Sequence, residues 1–324
     1  MNPAGTTDAV LQSATLVSGM GLAEGTAGAA LGGLAAGLWA LLLAPLVEFG
    51  FMQRALAGCL ALSVSAAPMG VFLMLRRMSL TGDAMAHGIL PGAALGYLWA
   101  GLSLGAMTLG GLLAGVTVAA LSGLVARRTV LGEDTSLAAF YLLSLSLGVM
   151  LVSTQGSQVD LLHVLFGSVL ALNNDALLLL GGVAALTLLG LAVLYRPLVL
   201  ECMDPAYLRA VSRWSPVAHG GFLLMLVLNL VAGFHALGTL MSVGVMVLPA
   251  ATARLWARHI SRMLGVAVGV SALGGVCGLL LSFHTDLPTG PAIVLVLSAL
   301  WVASLLVAPL GWLGQARQRR HRTG

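Results

Sequence analysis

The sequence predicts an all-α, polytopic integral membrane protein with about eight to ten membrane-crossing helices. Three observations carry the prediction. Of 324 residues, 59% are hydrophobic and 8% are charged, against about 25% charged in an ordinary soluble domain. Mean hydropathy is +1.02 over the whole length. Apolar runs near the roughly 20 residues that a helix needs to cross a bilayer recur along the chain. A water-soluble enzyme cannot cover its surface with so few charges, and extended disorder is excluded by the same figures.

The elements follow in order. Residues 1–26 read as a polar, Gly/Ser/Thr-rich tail. They lack the basic stretch that opens a secretory signal, so the first apolar run, 27–47, is expected to stay in the mature chain. Further spans are expected at 55–75, 84–101, 105–126, 136–154, 175–195, 216–235, 238–256, 263–283 and 289–313. The span at 84–101 is short. The pair parted at His235 to Gly238 reads either as two spans or as one long broken helix. Residues 27–313 thus form one transmembrane domain, followed by a basic tail at 314–324.

The arginines order these spans. Positive residues gather on the cytoplasmic side of a membrane protein. Arg76 and Arg77, then Arg127 and Arg128, then Arg196, Arg209 and Arg213, then Arg254, Arg258 and Arg262, and finally Arg317, Arg319, Arg320 and Arg322 fall in every second connection. Arg54 alone departs. Both termini are therefore expected inside. The net charge of +4 is a topology signal, and no nucleic-acid partner is expected. All 15 basic residues are arginine, so a phosphate-binding GxxxxGK[ST] loop cannot exist here. Any use of ATP must lie in another chain.

Few residues offer chemistry. Cys59, Cys202 and Cys277 are odd in number and lack CxxC spacing, which suggests neither a disulfide framework nor a thiolate metal site. The 14 methionines read as flexible core filler rather than a copper path. Gly88, Gly92 and Gly96 make a stripe suited to close helix packing. Gly101 to Gly105 matches G-x-S-x-G, but a nucleophile elbow needs a strand-to-helix turn and this motif joins two spans.

Ionisable groups within a span are costly and usually functional. Asp83 and His87 stand four apart, on one helical face. Either Asp83 caps the helix and His87 packs in the bundle, or the two offer oxygen and nitrogen donors to a divalent Zn, Mn or Fe ion. Two ligands suit a site that must release its ion. No stably bound cofactor is expected. On the outer side, Asp160, His163, His235, His284 and Asp286 are either solvated loop residues or the rim of a metal entrance. Glu133 and Asp134, with Thr135, are placed to cap the next helix. The connection at 196–215 is long and partly amphipathic. Asp204 can cap a helix, Pro205 suits its first turn, and Tyr207, Leu208 and Val211 share a face. It reads as a helix lying on the bilayer or as a docking helix for a cytoplasmic partner.

These residues also carry a resemblance. The stretch from Phe51-Met-Gln-Arg-Ala to Val71-Phe-Leu-Met-Leu-Arg-Arg-Met-Ser, then Gly82-Asp-Ala-Met-Ala-His and Leu90-Pro-Gly, resembles the permease subunits of zinc/manganese/iron-type metal ABC importers. Glu133-Asp-Thr, Val159-Asp-Leu-Leu-His-Val-Leu-Phe-Gly, Leu248-Pro-Ala-Ala-Thr-Ala-Arg and Asp286-Leu-Pro-Thr-Gly-Pro follow in the family's order, so the likeness runs from about 46 to 310. It implies an ABC-importer permease architecture in a bacterial inner membrane. It also implies a homodimeric ion pathway, cytoplasmic ATPase subunits, and a periplasmic metal-binding protein that delivers the ion. By the same resemblance, Asp83 and His87 lie on the transport path and the segment around 203–212 couples to the ATPase. The first 45 residues are longer than the family's pattern, and His235 stands where the family more often has an uncharged residue. The competing readings are a permease for chelated iron and a secondary metal carrier that works without ATP.

Overall fold

The computed structural model describes residues 44–101, 103–154, 172–203, 207, 215–310 and 312, which are mostly helical with no strand among them. In hydrocarbon no water is available to backbone N–H and C=O groups, so a chain this apolar satisfies them within helices. The chain divides into two units, Met1–Gly50 and Phe51–Gly324. The described part of the first includes the short helix α1 (Ala44–Glu48). The expected span at 27–47 otherwise lies outside the described residues.

The helices that follow are α2 (Gly50–Leu75), α3 (Ser79–Gly88), α4 (Leu90–Ala100), α5 (Leu104–Arg128), α6 (Glu133–Thr154) and α7 (Asn174–Met203). Then come α8 (Ser215–Leu237), α9 (Thr239–Trp256), α10 (Ile260–Thr285) and α11 (Thr289–Val307). Among the described residues seven helices are long and apolar enough to cross a membrane, namely α2, α5, α6, α7, α8, α10 and α11, and Met241–Trp256 of α9 is a shorter apolar stretch. The fold is an all-α, multi-pass membrane bundle.

The expected single span at 84–101 is corrected. It is two short helices of 10 and 11 residues, α3 and α4, meeting at Ile89. Pro91 is the cause: it has no N–H to return to the preceding turn, and its ring crowds the carbonyl there. The hydroxyl of Ser144 on α6 donates to the Gly88 carbonyl at 2.9 Å, which gives this carbonyl a partner at the junction. Hydropathy merges the two pieces because both are apolar.

One other boundary differs, and the pair parted at His235 to Gly238 is two helices, one of the two expected readings. α7 continues to Met203 with Pro197 inside it, so residues 196–203 are helical rather than the start of the connection. Leu198 is fully buried there, and that packing holds the turn through the proline. α8 and α9 are separate helices, parted at Gly238 with φ of 79°, a backbone state that glycine adopts without steric cost.

α2 is the most enclosed of the seven, with 72% of its apolar stretch buried against 22% for α6. Gly70 approaches so closely that a Cβ there would collide with the Met246 carbonyl of α9. Ser271 on α10 donates to Ser63 at 3.0 Å, and Phe72 meets Tyr195 of α7 edge to face. Leu142, Leu143, Leu147 and Met150 on α6, like Leu186, Leu189 and Val193 on α7, remain exposed, as expected of surfaces that meet lipid or another apolar face. The fully buried Met52, Met69, Met85 and Met246 pack as core residues.

Candidate metal path and its ionic base

α2 hands over to α3 through a tight turn. The N–H of Met78 bonds to Leu73 O and that of Arg77 to Met74 O, each at 3.0 Å, which is the Schellman pattern. Arg77 takes the left-handed position, with φ of 59°. The register of α3 is thereby fixed to the end of α2.

On α3, Asp83 and His87 share a face. His87 Nε2 lies 3.8 Å from Asp83 Oδ1, and their side chains are 25% and 60% exposed. That is too long for a hydrogen bond, so neither group is spent on the other. Two ligand bonds of roughly 2.1 Å each could span the gap through one ion. His87 Nδ1 is buried with no hydrogen-bond partner among the described residues. The ring lies beside that of Tyr141 on α6, centroids 6.5 Å apart. Asp83 opens on a cleft of about 170 Å³ between α3 and α6, whose walls include Thr81, Leu137, Tyr141 and Asp134. The Thr81 hydroxyl is buried and unpaired among the described residues. Among the described residues no three His, Cys, Asp or Glu side chains gather as a metal cage. A carboxylate and an imidazole beside a small cleft that also holds Asp134 can hold an ion briefly and let it go.

Below this cleft lies a group of side chains that the sequence did not reveal. Arg76, at the end of α2, pairs through Nη2 with Glu201 Oε2 at 2.5 Å, with side chains only 6% and 10% exposed. Glu201 is in the last turn of α7. Its other oxygen lies 3.3 Å from Nδ1 of His219 on α8. His219 Nε2 lies 3.0 Å from Oε1 of Glu133, the first residue of α6. The Arg76 guanidinium also stacks over the Phe222 ring, 4.2 Å from its centroid. Glu133, expected to cap its helix, reaches across to α8, while its neighbour Asp134 lines the cleft with Asp83. These contacts bring the ends of α2, α6, α7 and α8 together at the arginine-bearing end of the unit. Met74 and Leu75 pack there with Ala257 and Met263 near the α9–α10 turn.

The other expected site residues separate. His235 bonds through Nδ1 to Val231 O at 2.9 Å and stands edge to face with Phe234. Its Nε2 is buried and unpaired among the described residues. At 1.5 Å per residue it lies roughly 24 Å along α8 from His219, at the opposite end. The direction of α10 places His284 and Asp286 at that end too. The His284 ring meets Phe283 edge to face, and Asp286 ends α10 with φ of 53°. Asp160 and His163 lie outside the described residues, as do Asp204, Pro205, Leu208 and Val211. Tyr207 is helical and exposed.

An apolar bundle of spanning helices, with an aspartate and a histidine on one helix face beside a cleft, is that of a multi-pass membrane protein. A match to the ABC 3 transport family covers residues 48–308, and the chain belongs to that family. It is 32% identical over 266 residues to the manganese import system permease protein ScaB of Streptococcus parasanguinis, covering 82% of this chain and 93% of that protein. It is 31% identical to the chelated iron transport system membrane protein YfeD of Yersinia pestis, covering 80% of this chain and 86% of that one. Among solved structures, PsaBC from Streptococcus pneumoniae in complex with Fab matches with a TM-score of 0.75 and 29% identity, over 84% of this chain and 96% of that chain.

Proposed function

We propose that the chain is the permease subunit of an ATP-driven importer of a divalent metal ion, manganese in first place and iron in second. The observation that carries the reading is the family match across 48–308, in a bundle whose α3 presents Asp83 and His87 on one face. The names of the relatives support the order of metals. Zinc suits the same oxygen and nitrogen donors, and affinity alone does not choose among these ions.

In this reading the arginine-bearing end faces the cytoplasm and both termini lie inside. A C-terminal fluorescent-protein fusion should then glow and an alkaline phosphatase fusion should be inactive; the reverse would invert the topology. ATPase subunits dock at the arginine-bearing end, with the segment carrying Asp204, Pro205, Tyr207, Leu208 and Val211 against them. A metal-binding protein delivers the ion at the other end, where His163, His235, His284 and Asp286 lie at the outer mouth. A second copy of the chain completes the pathway, and lipid covers the remaining apolar faces.

The mechanism is alternating access: ATP binding and hydrolysis in the partner subunits shift the permease between outward-open and inward-open states. Asp83 and His87 replace part of the ion's hydration shell as it passes. Two ligands keep the site shallow, because conduction requires release as well as entry. The test is uptake of radiolabelled manganese by cells carrying the chain with its ATPase and delivery protein. Uptake that requires this chain supports the assignment. Transport of an iron chelate but not of manganese would favour the chelated-iron reading that YfeD suggests.

A further inference from the structure

We infer that Arg76, Glu201, His219 and Glu133 form the joint through which movement of the adjoining ends of α7 and α8 reaches the helices that carry the metal path. All four are positioning residues, and the inference rests on reading the arginine-bearing end as the ATPase-facing one.

The geometry places one acid at both ends of the connection. Glu201 is in the last turn of α7, just before residue 204, and it contacts His219 on α8, just after residue 214. A displacement of either helix end therefore acts on this carboxylate. Two arms lead from it to the cleft. One is Arg76, bound to Glu201 and joined to α3 by the tight turn at Arg77 and Met78. The other is His219 to Glu133, the residue next to Asp134. The two arms end at the two walls of the cleft, α3 with Asp83 and α6 with Asp134.

Stability alone does not explain these groups. Buried ion pairs are often no better than apolar residues of similar volume, and this chain has only 11 acidic residues. Two of them converge on one histidine. A desolvated pair is also discrete: it is made or broken, with little between, as a two-state coupling element requires. Arg76 Nε is buried and unpaired among the described residues, a donor available to a second arrangement.

The experiment uses the whole permease–ATPase complex in proteoliposomes with its delivery protein. Manganese ions taken up per ATP hydrolysed are measured for the wild type, Glu201→Gln and Glu133→Gln. Glu133 is 36% exposed, so its variant tests the joint with less risk to folding. The expected result is normal co-purification with the ATPase, hydrolysis within about twofold of wild type, and at least a tenfold fall in ions per ATP. A wild-type ratio in both variants overturns the inference. So does a parallel loss of assembly, hydrolysis and uptake in both, which would mark the network as purely structural. ATP-independent uptake by the wild type would instead sink the importer reading and this inference with it.

Discussion

At the scale of residues, the proposed metal path rests on Asp83 and His87, and the proposed coupling on the ionic group of Arg76, Glu133, Glu201 and His219. Asp83→Asn removes the charge with little change in size. Because Asp83 is 60% exposed, its replacement should not disturb packing. We predict that manganese uptake falls at least tenfold while the amount of chain in the membrane fraction is unchanged; normal uptake by this variant would remove Asp83 from the path. The pair was legible because both members sit on one helix, where a four-residue spacing fixes a shared face. The group of Arg76, Glu133, Glu201 and His219 was not legible, because it assembles from four helices. No periodicity within one element points to another: the sequence marked Arg76 as a topology charge and Glu133 as a helix cap, and nothing in it paired them with Glu201 and His219.

At the scale of elements, glycine decides how α4 meets α5. A Cβ on Gly92 would collide with the Gly110 carbonyl and the Ala114 side chain, and one on Gly96 with the Ala106 carbonyl. Gly88 differs: its Cβ would meet Val118 side-chain atoms at 3.6 Å, an ordinary contact. Only two members of the stripe thus bring backbones together. Gly92→Leu should destabilise the bundle by about 1–3 kcal/mol or more and lower the thermal midpoint of the solubilised protein. Gly88→Ala should be neutral or stabilising by up to about 1 kcal/mol, since alanine is the better helix former. Equal loss in both variants would contradict this account of the α4–α5 contact. The stripe itself was visible in the sequence, but which of its members touch backbone depended on where Gly110 lies. The same holds for the break at Ile89. Pro91 was plain, yet a hydropathy average does not register where one helix ends and the next begins.

At the scale of the whole molecule, the sequence determined more than its parts did. A charge content of 8% and arginines in alternate connections constrain topology strongly, because moving backbone or charge into hydrocarbon costs several kcal/mol for each exposed group. The helical, multi-pass fold followed from that cost alone. Helix ends were harder, as α7 shows by running through Pro197 to Met203: tertiary packing of Leu198 and the Glu201 pairing extend it beyond its most apolar stretch. The function proposed at this scale is a division of labour, in which this chain supplies the path and another supplies ATP hydrolysis. The most direct test is uptake of radiolabelled manganese in cells carrying the permease, its ATPase and its delivery protein, beside a matched strain whose ATPase cannot hydrolyse ATP. The account predicts uptake in the first strain and none above background in the second. Equal uptake in both would show a carrier that works without ATP, and would contradict it.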